Sequence, residues 1–287
     1  MSTDISDAFI KHYGADVHEA YQRKGSKLRN TVRQRNNITG SSTTFQKVGK
    51  GSASQKTRHG KVPVMNVDHA PVECSLADWF AGDWVDDLDT LKTNIEERNV
   101  QVNAGVYALG RKTDEMIIDD ALASATNQVA ATIQADRTTG SSTGMNLGKC
   151  LDAIEALGNR DVEFDDGQTT GVVGWKQWTQ LMEISEFKSS DYVAESELPF
   201  KGRGIFAKWW MGAMWMPHSG LPITAGDIRS CFLYHKTAVG HASGKDVTTN
   251  IQWHNDYDSN FINNKMSQGT VLIDDNGVQE ILCDESP

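Results

Sequence analysis

The chain has 287 residues, of which 38% are apolar and 23% charged, with a formal net charge of −10. That is enough chain and apolar content to bury one large core or two ordinary ones, which excludes a disordered protein. The most apolar stretch, residues 205–217, is too short to span a bilayer and contains Lys208, and the N-terminal MSTDISDAF has acids and no apolar secretory run.

Residues 4–22 read as a short amphipathic helix. Ile5, Phe9, Tyr13, Val17 and Tyr21 recur every fourth residue, and Thr3 suits the N-cap. An isolated helix of this length is marginal in water, so the stripe needs a partner. Residues 22–61 hold eleven Lys and Arg with no Asp or Glu, which leaves −21 on the remainder. A cationic arm on an anionic body suits contact with an acidic surface, either nucleic acid or a second copy of the chain. Within this region 43–48 and 62–67 read as two strands, separated by GKGSASQKTRHGK. The product is a long exposed β-hairpin, with the alternating Val72, Cys74 and Leu76 at its base or in a following strand. Such an extension is unusual in a compact domain.

From 89 to 126 the apolar period becomes helical through Leu91, Ile95, Val102, Val106, Leu109, Met116 and Ile117. A helix over that span would reach roughly 55 Å, a strut across a whole molecule, with Gly105 and Gly110 as sites for a bend. Residues 138–148 form a loop, 146–158 a helix, 165–167 a turn, 171–173 a short strand and 175–187 a helix. Residues 189–204 are irregular, and 205–216 make a Trp- and Met-rich strand or hairpin. Strands follow near 231–234, 249–253, 270–273 and 278–282. Asp275-Asn276-Gly277 between the last two is a hairpin signal.

Little in the chain carries catalytic chemistry. Cys74, Cys150, Cys231 and Cys283 are far apart and form no CxxC pair, so buried reduced thiols are expected. His218, His235, His241 and His254 lack the spacing of a zinc site and read as loop or interface residues, with no metal or cofactor expected. GKGSASQ at 49–55 lacks the GxxxxGK[ST] phosphate-loop pattern. The acidic pairs, among them Asp165–Asp166, read as solvated faces or turns. Trp209, Trp210 and Trp215 read as core or interface packing rather than a base-stacking platform.

The basic arm, extended hairpin, long helix, central α/β segment and returning strands occur in one order. With RKTDEMII at 111–118, HKTAVGHASGK at 235–245 and GT-VLID-NGV at 269–278, that order resembles the major capsid proteins of tailed bacteriophages and the Hong Kong 97 phage capsid fold. The resemblance implies an α+β fold with an N-terminal arm at 1–40, an extended loop at 41–86 and a peripheral domain with a spine helix at 87–145. An axial domain would follow at 146–245, and return strands of the peripheral domain at 246–287. It implies a structural protein, not an enzyme, that assembles into hexamers and pentamers of an icosahedral shell around double-stranded DNA. Shell assembly in a bacterial cytoplasm, and scaffolding, portal and decoration proteins as further partners, follow from the same resemblance. About twenty residues precede the basic arm, so scaffolding would be a separate protein or absent. The inter-subunit contacts expected are Phe9, Tyr13, Arg33, Arg35, Lys47, Lys50, Lys56, Arg58 and Lys61. No Asn or carboxylate is identifiable as partner for a loop-lysine crosslink. Two other functions stay open from sequence: a nucleic-acid-binding protein using 22–61, and a His-rich metalloenzyme.

Overall fold

A computed structural model describes residues 23–86, 97–188, 207–224 and 226–286. The expected helix at 4–22, the first turns of the long helix and the irregular 189–204 lie outside the described residues. The chain divides into two compact units. The first takes 78–112 and 245–267 together with the end of the N-terminal segment, and the second takes 26–77, 113–244 and 268–287.

The second unit is built on a seven-stranded sheet. Its strands are β5 (Gln128–Val129), β6 (Thr169–Val173), β7 (Lys208–Trp210), β8 (Ala213–Pro217), β9 (Ile223–Thr224), β10 (Ile228–His235) and β13 (Val278–Asp284). The order is β5-β13-β10-β6-β8-β7, with β9 also on β10. β10 is antiparallel to β13, with Cys231 opposite Ile281, and antiparallel to β6, with Phe232 opposite Val172. β6 and β8 run parallel, Val172 beside Met216. Every residue of β6 is buried, as its short TTGVV run requires of a central strand.

Two helices complete this core. The first is Leu147–Gly158, whose N-cap Asn146 accepts the Lys149 N–H at 2.9 Å. The second, Trp175–Glu183, buries Trp178 and Leu181 and is followed by a short turn of helix, Ser185–Lys188. Trp178, Phe187 and Trp210 stack edge to face at 5.7 and 5.2 Å. Burying each such ring contributes about 1.5–3 kcal/mol from area alone. Trp210 and Trp215 are therefore core residues, while Trp209 stays half exposed. β7 and β8 form a tight hairpin in which Met211 and Gly212 both have positive φ, 52° and 74°. That is the backbone of a type I′ turn, whose twist matches the strands.

The remaining strands are β1 (Arg33–Asn36), β2 (Ser42–Val48), β3 (His69–Ser75), β4 (Ala77–Asp86), β11 (Val239–His254) and β12 (Ser259–Leu272). β2 and β3 form a two-stranded ribbon in the second unit, with Phe45 opposite Val72. The extended hairpin exists, but its second strand is His69–Ser75 and not 62–67. Val62 and Val64 alternate yet have no body to cover them, whereas Phe45 and Cys74 are buried with Ala242 and Ile273.

Strands β1, β11, β12 and β4 form a second sheet in that order. Within the first unit, β4 and the adjoining halves of β11 and β12 carry the long helix, Glu97–Met116. The helix runs through Gly105 without a break. Gly105 is a close-approach position, since a Cβ there would collide with the Asn264 side-chain amide. Asn264 is buried, donates to the Ala81 carbonyl (3.3 Å) and accepts from Thr249 Oγ1 (2.5 Å). Lys112 Nζ sits 4.4 Å from the Trp79 ring centroid, and Lys24 Nζ 5.5 Å from that of Tyr107.

In the second unit the helix ends in a π turn, Ile117–Leu122, closed by the Ala123 N–H on the Ile118 carbonyl at 2.8 Å. Asp275-Asn276-Gly277 does not make a hairpin. The Asp274 carboxylate caps the Asn276 N–H at 3.0 Å, and the resulting 3-10 turn hands the chain from β12 to β13, which lie in different sheets. Residues 246–287 thus divide: 245–267 lie in the first unit, and β13 joins the sheet that holds β10 and β6.

Candidate assembly surfaces

The basic arm has a fixed root in the second unit. Leu28 and Val32 are fully buried. Asp114, also fully buried, accepts from the Ser26 hydroxyl (2.5 Å), the Lys27 N–H (3.1 Å) and the Leu28 N–H (3.0 Å). His218 completes this set. Its Nδ1 accepts from the Gly220 N–H at 3.1 Å, so Nε2 carries the proton and donates to Asp114 at 3.2 Å. Burial raises the Asp114 carboxyl, but the hydrogen bonds from His218, Ser26, Leu28 and Lys27 outweigh it and hold the group below its ordinary range. Thr31 and Tyr234 share a buried 2.5 Å hydroxyl contact beside it. Asp114 lies in RKTDEMII and His218 among the clustered histidines, but 104 residues separate them and nothing in the sequence pairs the two.

Two of the expected contact residues follow this root on β1, which pairs in parallel with β11 from Arg33 beside Gly240 to Asn36 beside Ser243. Arg33 lies 5.8 Å from the Phe45 ring centroid. Arg35 donates to Thr43 Oγ1 (3.1 Å) and the Thr44 carbonyl (2.6 Å). Both side chains are exposed, yet they serve their own hairpin first.

Two cations at the hairpin's base meet carboxylates. Lys47 pairs with Asp274 at 2.9 Å, and Lys50 pairs with Asp161. Lys50 and Asp161 border a polar cavity of about 300 Å³ that also holds Asp166 and His235. Beyond Lys50 the pattern changes. Lys56, Arg58 and Lys61 are exposed and make no ion pair with the described residues, and Val62, Val64 and Met65 are exposed beside them. The structure therefore separates the predicted loop lysines into two that are ion-paired at the base and two that stand at the tip with Arg58. Phe9 and Tyr13 lie outside the described residues.

The four clustered histidines of the sequence occupy separate settings. His218 serves Asp114, His235 donates to Asp166 (2.9 Å), His241 meets Gln268 (3.2 Å), and His254 packs on Trp84 (5.2 Å). Among the described residues no group of three side chains could hold a metal ion, and no helix is long and apolar enough to cross a membrane.

The first unit carries a surface that sequence reading missed. On β4 the odd-numbered Trp79, Ala81 and Val85 turn toward the helix side, and the even-numbered Phe80, Gly82 and Trp84 toward the other. The Trp84 ring lies 4.6 Å from Phe261 and 4.8 Å from Tyr257. Trp84 remains 42% exposed, Phe80 65% and Tyr257 67%.

Residues 5–285 match the family described as phage capsid protein. No curated protein matches the chain. Among solved structures, the capsid of cyanophage P-SCSP1u is similar over 100% of this chain and 96% of its own, at 16% identity and a TM-score of 0.75. The Ralstonia phage GP4 capsid covers 97% of each chain at 10% identity and a TM-score of 0.71. Mycobacterium phage Che8 covers 95% of this chain and 97% of its own, at 16% identity and a TM-score of 0.68. With the family match spanning nearly its whole length and the fold shared end to end with tailed-phage capsids, this chain belongs to the phage capsid protein family and is a major capsid protein of the Hong Kong 97 type.

Proposed function

We propose that the chain assembles into hexamers and pentamers of an icosahedral shell enclosing double-stranded DNA, in a bacterial cytoplasm, and acts there as a structural protein without catalytic chemistry. The observation that carries this is the hairpin tip, residues 51–66, which is exposed nearly throughout and is built of cations and bare apolar side chains. A segment of that kind gains nothing in an isolated subunit, and it gains repeatedly when every copy presents it to a neighbour. In this reading the first unit is the peripheral domain, the seven-stranded sheet with its helices is the axial domain, and the N-terminal stripe with Phe9 and Tyr13 reaches a neighbouring copy. Packaged DNA is contacted without sequence specificity, and portal, scaffolding and decoration proteins are the further partners. Negative-stain electron microscopy of the purified protein at rising concentration, in low and high salt, tests the assembly. Closed uniform shells, or rings of five and six, are expected. Particles of a single small size under every condition, with or without a scaffolding partner, would refute it.

A further inference from the structure

We infer that the pocket between β1 and β2 is an oxyanion site in which Arg33 and Arg35 grip one phosphate group, carried by a nucleic-acid backbone or free in solution. This deepens the reading of contact with packaged DNA given above, by naming the residues that would meet its backbone.

Arg33 and Arg35 stand two apart on β1, so both side chains leave the same face of the strand, from Cα atoms about 6.6 Å apart. With Gln34 between them and Thr44, Phe45 and Gln46 of β2 opposite, they line a pocket of about 150 Å³. The two guanidiniums are positioned without being used up. Arg35 Nη1 donates to Thr43 Oγ1 (3.1 Å) and to the Thr44 carbonyl (2.6 Å), which occupies both of its hydrogens. The Nε–H and Nη2–H are left over, and that parallel pair is an edge with which arginine forks onto an oxyanion. Arg33 lies 5.8 Å from the Phe45 ring centroid and makes no hydrogen bond to the described residues, so its donors all remain.

No acid competes for these donors. Among the described residues neither arginine pairs with a carboxylate. Residues 22–61 contain no Asp or Glu, and the partner stretch of β11, Gly240 to Ser243, adds none. Lys47, further along β2, already pairs with Asp274 at 2.9 Å. The number of donors then selects the ligand. A carboxylate has two oxygens and is satisfied by one fork, whereas a phosphate presents its oxygens in a tetrahedron and accepts from two forks at once. Eleven cations draw a polyanion to this arm, and the pocket sets where one of its phosphates is held.

The test is made on single subunits of the full chain, diluted below the onset of assembly. Binding of a short labelled DNA duplex of mixed sequence is followed by fluorescence anisotropy over a salt series, and inorganic pyrophosphate is titrated by calorimetry. Arg33→Gln with Arg35→Gln is compared with Lys56→Gln with Arg58→Gln, which removes the same charge from the hairpin tip. The pocket pair is expected to weaken duplex binding about tenfold, to lower the salt slope by about one and to abolish the pyrophosphate heat. The tip pair should weaken the duplex by less than about threefold and keep that heat. Pyrophosphate heat without duplex binding assigns the site to free phosphate. Equal losses from both pairs reduce the arm to general attraction and overturn the site. A glutamate-rich peptide that binds, and is lost with the pocket pair where neither phosphate probe binds, gives the pocket to a protein carboxylate and overturns it too.

Arg33→Gln alone guards against a loosened hairpin, since that side chain touches the Phe45 ring and donates to nothing else described in the subunit. It is expected to keep the wild-type Tm and still weaken pyrophosphate by about threefold or more; an unchanged affinity overturns the site. Shells are scored separately by electron microscopy. Because binding is read on single subunits, lost binding with normal shells overturns the site and leaves assembly standing, and binding without shells does the reverse.

Discussion

Replacing Asp114 tests whether the arm's root is the buried hydrogen-bond centre described above. Asp114→Ala removes the acceptor for the Ser26 hydroxyl, the Lys27 and Leu28 N–H groups and the His218 Nε2–H. Each buried donor left without a partner costs about 1–3 kcal/mol, and water entering the smaller site recovers part of that. Taking the buried Leu28 N–H and His218 Nε2–H as the two that water reaches least, the loss is about 4 kcal/mol, or roughly 10 °C in Tm for a unit of this size. Asp114→Asn keeps one acceptor oxygen but turns an amide N–H₂ toward a donor, so about half that loss is expected.

The acid dependence has a defined sign. Because the folded carboxyl titrates below its unfolded value, its contribution is complete above the unfolded pKa, near 4, and disappears as pH falls through the folded one. Thermal melts and urea titrations of unassembled subunits from pH 7 down to 3 measure this. The gap between wild type and Asp114→Asn should narrow toward the acid end. A loss under about 1 kcal/mol for Asp114→Ala, or a gap that widens on acidification, would refute the reasoning.

Three further outcomes are expected. Gly105→Ala should destabilise by about 1–3 kcal/mol despite alanine's higher helix propensity, because Asn264 is held by two hydrogen bonds and cannot yield; a melt at or above wild type would contradict this. Native protein should show almost no reactive thiol to an aromatic disulfide reagent and four in denaturant, since burial raises the Cys74 thiol to about 11 and pushes Cys150 and Cys231 up as well. Lys50→Glu should leave the subunit's Tm unchanged, because its pair with Asp161 is open to solvent, while changing the salt dependence of shell formation measured by light scattering.

The parts of the fold that show in the sequence are those whose signal is local. The period of Val102, Val106, Leu109, Met116 and Ile117 gives the long helix, and eleven cations without an acid give the arm. The hairpin's first strand shows for the same reason. Its second strand was displaced because alternation at Val62 and Val64 looks the same whether or not a body lies beneath it. Burial of Cys74 against Phe45 sets the register, and that contact is long-range. The turn at Asp275–Gly277 misled in a different way. Its residues favour a tight turn, but whether the flanking strands pair is decided by the sheets they enter. β11 reaches 16 residues, of which only its first five are buried, so the outer half carries no apolar alternation to read. Of the candidate contacts, the charges of Lys56, Arg58 and Lys61 were legible. The Asp114–His218 centre and the Trp84 face were not, because each is assembled from segments more than a hundred residues apart.

The π turn at Ile117–Leu122 fixes chain length where it occurs. It accommodates one residue more than an α-helical path would, and within it Ile117, Ile118, Ala121 and Leu122 are buried while Asp119 and Asp120 stay outside. Deleting Ile118 would move Asp119 into the buried position that Ile118 now fills. The hairpin tip has no such constraint: lengthening it by several residues adds little closure entropy and disturbs no buried contact. Length differences among capsid proteins of this kind should therefore gather at the tip and avoid the end of the long helix, and an affinity tag or displayed peptide inserted into this chain would be tolerated by the subunit's fold at the first place and not at the second.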